Sequence, residues 1–264
     1  MKNTTTFVSL GHRCSTAGIL KRLHLKTESH PFDWMVSRLP IIQDCIETEF
    51  AFFTNPKFYT KQQTHITHYY PGTNPAPMRI CNETIYRNEY YQTHPIIQEQ
   101  ICIPTPLSVE NGDTYANTCL INHRNINDTD TQEYYNRCIT RFQNLLLQPP
   151  ENPIIGLYIH PTLTEAEFAE QRTALYTQFN AFQTSALPTH WVAVFFCMVR
   201  TEHPYPITDY KPRVIEPVLE NTNTNTKIYI VYTNRDFIDA GEIFMQNAYI
   251  ETDQMCELIS TLAK

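Results

Sequence analysis

Cys14 is the residue whose type and position best support chemistry. It follows Gly11, His12 and Arg13 at the end of a short apolar run, and it precedes a helical pattern. At a helix N-terminus, backbone N–H groups and the helix dipole stabilise a thiolate, and Arg13 adds positive charge. The N–H groups around Cys14 and Ser15 could also hold the oxyanion of an attacked carbonyl. The pattern predicts a cysteine nucleophile, and the alternative, a small buried hydrophobic side chain, stays open.

A cysteine nucleophile needs a general base, which is usually distant in sequence. His123 is the best-placed histidine, because it follows a short predicted strand and precedes a predicted helix. His12 is two residues from Cys14 and, on an extended loop, would point to the other side. His160 and His203 follow later predicted strands and remain alternative partners.

Polar residues follow most of the predicted strands. In an open α/β sheet, ligands bind beyond the carboxyl ends of the strands. If these strands are parallel neighbours, one rim collects Gly11-His12-Arg13-Cys14, Asn122-His123, His160, Arg200 with Glu202-His203, and Asn234-Arg235-Asp236. The alternative is that these residues are ordinary polar strand ends.

The elements that must position these residues are those of an α/β fold. Continuous apolar runs at 154–159, 191–199 and 228–232 predict strands buried on both faces, with helical patterns between them. We therefore expect a single domain, 1–264, with a mostly parallel central sheet between two helix layers. Residues 55–119 lose periodicity and are predicted to form an irregular, partly stranded insertion or cap.

Three local signals predict where helices begin. Ser37 is a candidate N-cap for a helix over 39–50. Asp130 with Glu133 forms a possible capping box for the next helix, and Thr164 with Glu167 opens a third.

Charge and composition exclude several classes of partner. The 264 residues carry a net charge of −7 and no block of Lys and Arg, so we expect no nucleic-acid and no membrane partner. The longest apolar run, 191–199, is far shorter than the roughly 20 residues that span a bilayer. Eight scattered cysteines without a Cys-x-x-Cys pair indicate reduced thiols and a cytoplasmic location.

Cofactor patterns are also missing from the sequence. His65 and His68, with Cys81, His94 and Cys102, supply zinc donors, but their spacing fits no structural zinc pattern. Six glycines form neither a Gly-x-x-x-x-Gly-Lys nor a Gly-x-Gly-x-x-Gly loop. We therefore expect no metal and no cofactor.

Three blocks of the sequence have a specific pattern. They are Phe-Val-Ser-Leu-Gly-His-Arg-Cys at 7–14, Ser-His-Pro-Phe-Asp-Trp at 29–34, and Asn122-His123 followed by the helical pattern Tyr134-Tyr135 and Arg137 to Phe142. Together they resemble a domain family of unknown function described as papain-like cysteine peptidases. The resemblance implies that Cys14 is the nucleophile and His123 the base. It also matches Asp33 to a motif position; Asp33 could orient a catalytic group or could cap a turn.

The first hypothesis is a cysteine-dependent hydrolase or acyl transferase that acts on a peptide, acyl or glycan-related substrate, with 55–119 shaping access. The second is a non-catalytic binding protein in which Arg13, Arg200 and Arg235 hold a ligand, such as a glycan. A third is a glycan-processing transferase that uses the same rim.

Overall fold

The computed structural model describes residues 5–12, 14–69, 78–100, 119–121, 124–147, 153–200, 215–218, 225–233 and 250–263. The strands in this part are β1 (Thr6–Ser9), β2 (Met35–Val36), β3 (Tyr59–Tyr69), β4 (Met78–Asn88), β5 (Leu120–Ile121), β6 (Ile154–Thr164), β7 (Trp191–Arg200), β8 (Ile215–Pro217) and β9 (Thr226–Thr233). The helices are α1 (Cys14–Arg22), α2 (Leu39–Glu47), α3 (Glu89–Thr93), α4 (Pro95–Gln100), α5 (Thr129–Leu147), α6 (Glu165–Ala186) and α7 (Ile250–Leu262).

The central sheet has the strand order β1-β6-β7-β9-β8. The pairs β1/β6, β6/β7 and β7/β9 are parallel, and β8 is antiparallel at the edge. Nearly every residue of β7 from Trp191 to Val199 is buried, because side chains on both faces pack under helices. The predicted α/β class with a mostly parallel sheet is confirmed.

Helices cover both faces of this sheet. On one face, the apolar residues of α1 and α7 pack with Phe7, Leu157, Phe196 and Val231. On the other face, α2, α5 and α6 pack with Val8, Tyr158 and Phe195. The rings of Phe179 in α6 and Phe195 in β7 are stacked with centroids 4.4 Å apart. The arrangement has the predicted three layers.

A second sheet, with the order β2-β5-β4-β3, is antiparallel. Its longest part is a hairpin in which β3 pairs with β4 from Tyr59↔Asn88 to Tyr69↔Met78. The sequence predicted residues 55–119 to be irregular and partly stranded, and this hairpin supplies long paired strands within that segment. Thr, Gln and His stand at both odd and even positions in the sequence of β3, so the apolar/polar alternation that marks a strand is absent. The description of 55–119 as an insertion or cap stays a prediction.

One expectation about the rim is wrong. The strand that ends at Ile121 was grouped with the parallel strands, but β5 belongs to the antiparallel sheet. It pairs with Met35–Val36, a two-residue strand without any sequence signal of its own. Asn122 and His123 therefore do not follow a strand of the central sheet.

The predicted opening of α6 is confirmed as a capping box. The Thr164 hydroxyl accepts a hydrogen bond from the Glu167 N–H at 3.2 Å, and the Glu167 carboxylate accepts from the Thr164 N–H at 2.7 Å. Each of the two side chains thus accepts a hydrogen bond from a backbone N–H that has no acceptor within the helix.

The other two predicted helix starts are wrong in detail. The N-cap of α2 is Arg38, whose side chain does not cap the helix, and Ser37 instead pairs with His12 in an antiparallel bridge. Helix α5 begins at Thr129, so Asp130 lies within its first turn. The carbonyl of Asp128 accepts from the N–H groups of Thr131 and Gln132, so the hydrogen bonding of the helix begins at the residue before Thr129.

Candidate active site

Cys14 is the first residue of α1 and lies just beyond the carboxyl end of β1. Its side chain is half-buried, and the first turn of α1 contains no acidic residue. Lys21 and Arg22 occupy the last turn, where positive charge complements the helix dipole. The positive end of the helix dipole therefore lies at Cys14, and no carboxylate of α1 neutralises it.

The other cysteines with described side chains differ from Cys14, because all of them are buried: Cys45, Cys119, Cys138, Cys197 and Cys256. Burial raises the pKa of each of these thiols, that of Cys119 to about 12. A raised pKa keeps a thiol protonated and unreactive. Among the six cysteines with described side chains, Cys14 alone combines partial exposure with a helix N-terminus.

The loop before Cys14 is attached to β6. The Leu10 N–H donates to the Leu157 carbonyl at 2.8 Å, and the Gly11 carbonyl accepts from the Ile159 N–H at 3.4 Å. The Thr16 hydroxyl donates to the same Gly11 carbonyl. These bonds hold the first turn of α1 against the end of the central sheet.

Gly11 has φ +91°, a conformation that side chains disfavour. A Cβ at this position would lie 2.6 Å from the Ser37 Oγ. The Ser37 N–H donates to the His12 carbonyl at 2.9 Å. The close approach of the loop to Ser37 therefore requires glycine at position 11.

Strand β2 connects this loop with β5. Ser37, the residue after β2, pairs with His12, and Met35 pairs with Ile121 at the end of β5. His123 follows Ile121 by two residues and lies outside the described residues. Its contact with Cys14 stays a prediction.

Two further predicted site residues, Arg13 and His203, also lie outside the described residues. The same is true of Arg235 and of the Arg200 side chain, so the arginine set of the binding hypothesis stays a prediction. Ser15 is the half-buried second residue of α1.

His12 and His160 both lie towards the carboxyl ends of the parallel strands of the central sheet. His12 is buried in the loop that pairs with Ser37. His160 is 4% exposed and lies within β6, because this strand continues to Thr164 instead of ending at Ile159 as predicted. Its ring lies 6.0 Å from that of Phe179 and 6.4 Å from that of Tyr158. These contacts place the His160 ring on the α6 face of the sheet, whereas α1 covers the opposite face.

Asp33 is 1% exposed and lies in a tight turn. Its Oδ2 accepts from the His30 N–H at 2.9 Å and forms an ion pair with the Lys26 Nζ at 2.6 Å. Burial raises the pKa of Asp33, and Lys26 opposes that shift. These are the contacts expected of a turn-capping carboxylate; a role in orienting a catalytic group stays a prediction.

The profile of the family described as "Putative papain-like cysteine peptidase (DUF1796)" matches residues 5–198. The chain belongs to this family. Searches of curated proteins and of solved structures gave no match. The range shared with the family contains Cys14, Asp33 and His160, and it ends within β7.

Arg38 has no sequence signal that marks it as a site residue, and it is buried beside the rim. Its guanidinium donates a hydrogen bond to the hydroxyl of Tyr158 in β6. Burial raises the pKa of Tyr158 to about 12, and Arg38 opposes the shift. The sequence pattern marks arginines at strand ends, whereas Arg38 precedes a helix.

Metal ligands and membrane-spanning helices are two further features that a functional site could include. Within the described ranges, no cluster of three His, Cys, Asp or Glu side chains is arranged to hold a metal ion. No helix in the described part of the chain has the length and apolar character that crossing a bilayer requires.

Proposed function

We propose that the protein is a cysteine-dependent hydrolase that cleaves peptide bonds with Cys14 as its nucleophile. The observation that carries the proposal is the position of Cys14, half-buried at the first residue of α1 beyond a parallel strand. Membership of a family described as cysteine peptidases supports the same chemistry.

In the proposed reaction, the Cys14 thiolate attacks the substrate carbonyl carbon, and a histidine holds the thiol proton. His123 is the proposed histidine. The tetrahedral intermediate collapses to a thioester as the histidine transfers its proton to the leaving amine. Water then attacks the thioester with the histidine as base, which releases the carboxylic acid and regenerates the thiol.

The N-terminal turn of α1 is the proposed oxyanion site. Backbone N–H groups in the first turn of a helix, such as that of Ser15, have no acceptor within the helix. Such groups stabilise negative charge that develops on the carbonyl oxygen. The hydrogen bond from the Thr16 hydroxyl to the Gly11 carbonyl attaches this turn to the loop that follows β1.

The remaining predicted residues have auxiliary proposed roles. Asp33 is proposed to orient the catalytic groups, and Arg13, His12, His160 and His203 to contact substrate at the rim. An acyl transferase, a glycan-processing transferase and a non-catalytic glycan-binding protein stay alternatives from the sequence.

The decisive experiment is the pH dependence of Cys14 alkylation by iodoacetamide, followed by mass spectrometry of the intact chain. We expect a midpoint well below the value of about 8.5 for a free thiol, because the thiolate is the reacting form. A midpoint at or above that value, or complete protection, would contradict a nucleophilic role and favour the binding hypothesis.

Two variants make the measurement specific to this site. Cys14→Ala should remove the rapidly alkylated thiol and any peptide-cleaving activity. Cys256→Ala, at a buried cysteine in α7, is the matched control and should change neither.

A further inference from the structure

Arg87 in β4 is a buried arginine with donors that no protein group uses. Its side chain is 6% exposed. Both Nε and Nη2 are buried, and neither has a hydrogen-bond partner within the described residues. Proteins normally pair buried charges and satisfy buried donors. Arg87 therefore presents unused hydrogen-bonding capacity in the interior.

The two unpaired atoms lie on the same edge of the guanidinium. Along this edge, the N–H bonds of Nε and Nη2 are parallel and match the spacing of the two oxygens of a carboxylate. A guanidinium keeps its positive charge at physiological pH, so an anionic group fits this edge better than a neutral one. A carboxylate is the ligand group that satisfies both donors at once.

The nearest acidic residue along the chain is already engaged. Glu89 follows Arg87 by two residues, and its carboxylate accepts a hydrogen bond from the Thr60 hydroxyl. Thr60 is the residue of β3 that pairs with Arg87. The ion pairs of the described residues are formed by other side chains. The charge of Arg87 is thus not neutralised within this part of the chain.

The strand register links Arg87 to the loop of the proposed nucleophile. Arg87 pairs with Leu120 of β5, and Leu120 pairs with Val36 of β2. The residue after Val36 pairs with His12, two residues before Cys14. With neighbouring strands about 4.8 Å apart, β4 lies about 10 Å from β2 and roughly 14 Å from this loop. An extended peptide of a few residues covers that distance.

We propose that Arg87 binds a carboxylate group of the ligand through Nε and Nη2, so that the protein selects peptides that present a carboxylate at this position. The identity of the ligand as a peptide rests on the proposed function. The carboxylate is either the C-terminus of the peptide or an acidic side chain, and both present the same pair of oxygens.

The test measures peptide binding to the full chain carrying Cys14→Ala, so that binding is separate from turnover. Three pools of randomised hexapeptides without other acidic residues, labelled with a neutral fluorophore, are compared by fluorescence polarisation. The first pool has a free C-terminal carboxylate, the second an amidated C-terminus and one glutamate, and the third an amidated C-terminus and one glutamine. We expect the first or second pool to bind at least about tenfold more tightly than the third, and the tighter one identifies the source of the carboxylate.

Variants at Arg87 test the assignment to this side chain. Arg87→Met should abolish the preference for carboxylate, and Arg87→Lys should restore only part of it, because an ammonium lacks the parallel donors. Arg137→Met is the matched control, since Arg137 is exposed on α5 and pairs only with the nearby Glu133 at 3.8 Å among described residues. It should keep the full preference.

A stability measurement separates recognition from structure. Because the Nε–Nη2 edge has no protein partner, Arg87→Met should unfold at the same urea concentration as the parent or at a higher one. A lower midpoint would show a structural role and overturn the proposal, as would equal binding of the three pools. If the carboxylate preference holds but Cys14 shows no activated thiol, the hydrolase proposal fails and the carboxylate site stands.

Discussion

The backbone N–H of Ser37 donates a hydrogen bond to the carbonyl of His12 at 2.9 Å. This bond joins the loop before Cys14 to the chain that leaves β2. Because Met35 pairs with Ile121, the same short segment also contacts the strand that precedes His123. Two parts of the proposed site that are distant in sequence are thus attached to one element.

Gly11→Ala should destabilise the protein and displace the Cys14 loop. The added Cβ meets the Ser37 Oγ at 2.6 Å, and φ +91° disfavours any side chain. We expect a loss of about 2 kcal/mol in the free energy of unfolding, measured in urea. Alkylation of Cys14 should slow in the same variant.

Ser37→Ala provides the control for this substitution, because it removes the Oγ that the new methyl group meets. In the Ser37→Ala background, Gly11→Ala should lose only about 1 kcal/mol, the part due to backbone conformation. Equal losses in the two backgrounds would show that the contact with Ser37 contributes nothing.

His30 should make stability depend on pH. Burial, with Lys26 and Arg141, lowers the pKa of His30 to about 4, from 6.5 in the unfolded chain. Between these values the unfolded chain binds more protons, so stability falls as the pH drops from about 6.5 to 4. The loss attributable to His30 is about 3 kcal/mol.

His30→Leu should remove this dependence, which urea unfolding at several pH values can measure. The raised pKa of Asp33 acts in the opposite direction at acidic pH, but Asp33 is present in both proteins and largely cancels in the difference. Parallel stability profiles of the two proteins between pH 4 and 7 would contradict the prediction. His24→Asn, at an exposed histidine, is the control.

Tyr158→Phe should lower the free energy of unfolding, because it removes a buried hydrogen bond beside the rim. It removes the hydroxyl that accepts from the buried Arg38 guanidinium, so we expect a loss of about 1–3 kcal/mol in urea unfolding. Tyr229→Phe is the matched control, because the Tyr229 hydroxyl has no hydrogen bond to the described residues. A similar loss in both variants would mean that the bond to Arg38 is not the cause.

The central sheet was predictable because its strands are buried on both faces. The strands β6, β7 and β9 are visible in the sequence as continuous apolar runs. Thr164 with Glu167 marks the start of α6 through a purely local motif. Cys14 could be identified because its signal is also local: a strand, a glycine and a helix start are adjacent in the chain.

The second sheet could not be predicted in the same way. Met35–Val36 and Leu120–Ile121 are strands of two residues, which exist only because distant segments pair with them. Arg87 was missed because an arginine in a polar strand normally faces solvent. Its burial depends on long-range packing that no local pattern records.

The histidine that assists Cys14 can be identified from the alkylation profile. If His123 is the partner, its imidazolium stabilises the thiolate, so His123→Ala should shift the alkylation midpoint towards about 8.5. His160→Ala should leave the midpoint unchanged but lower stability, because the ring packs against Phe179 on the α6 face. His203→Ala is the third arm and should change neither quantity. A shift caused by His160→Ala or His203→Ala, with none for His123→Ala, would reassign the base.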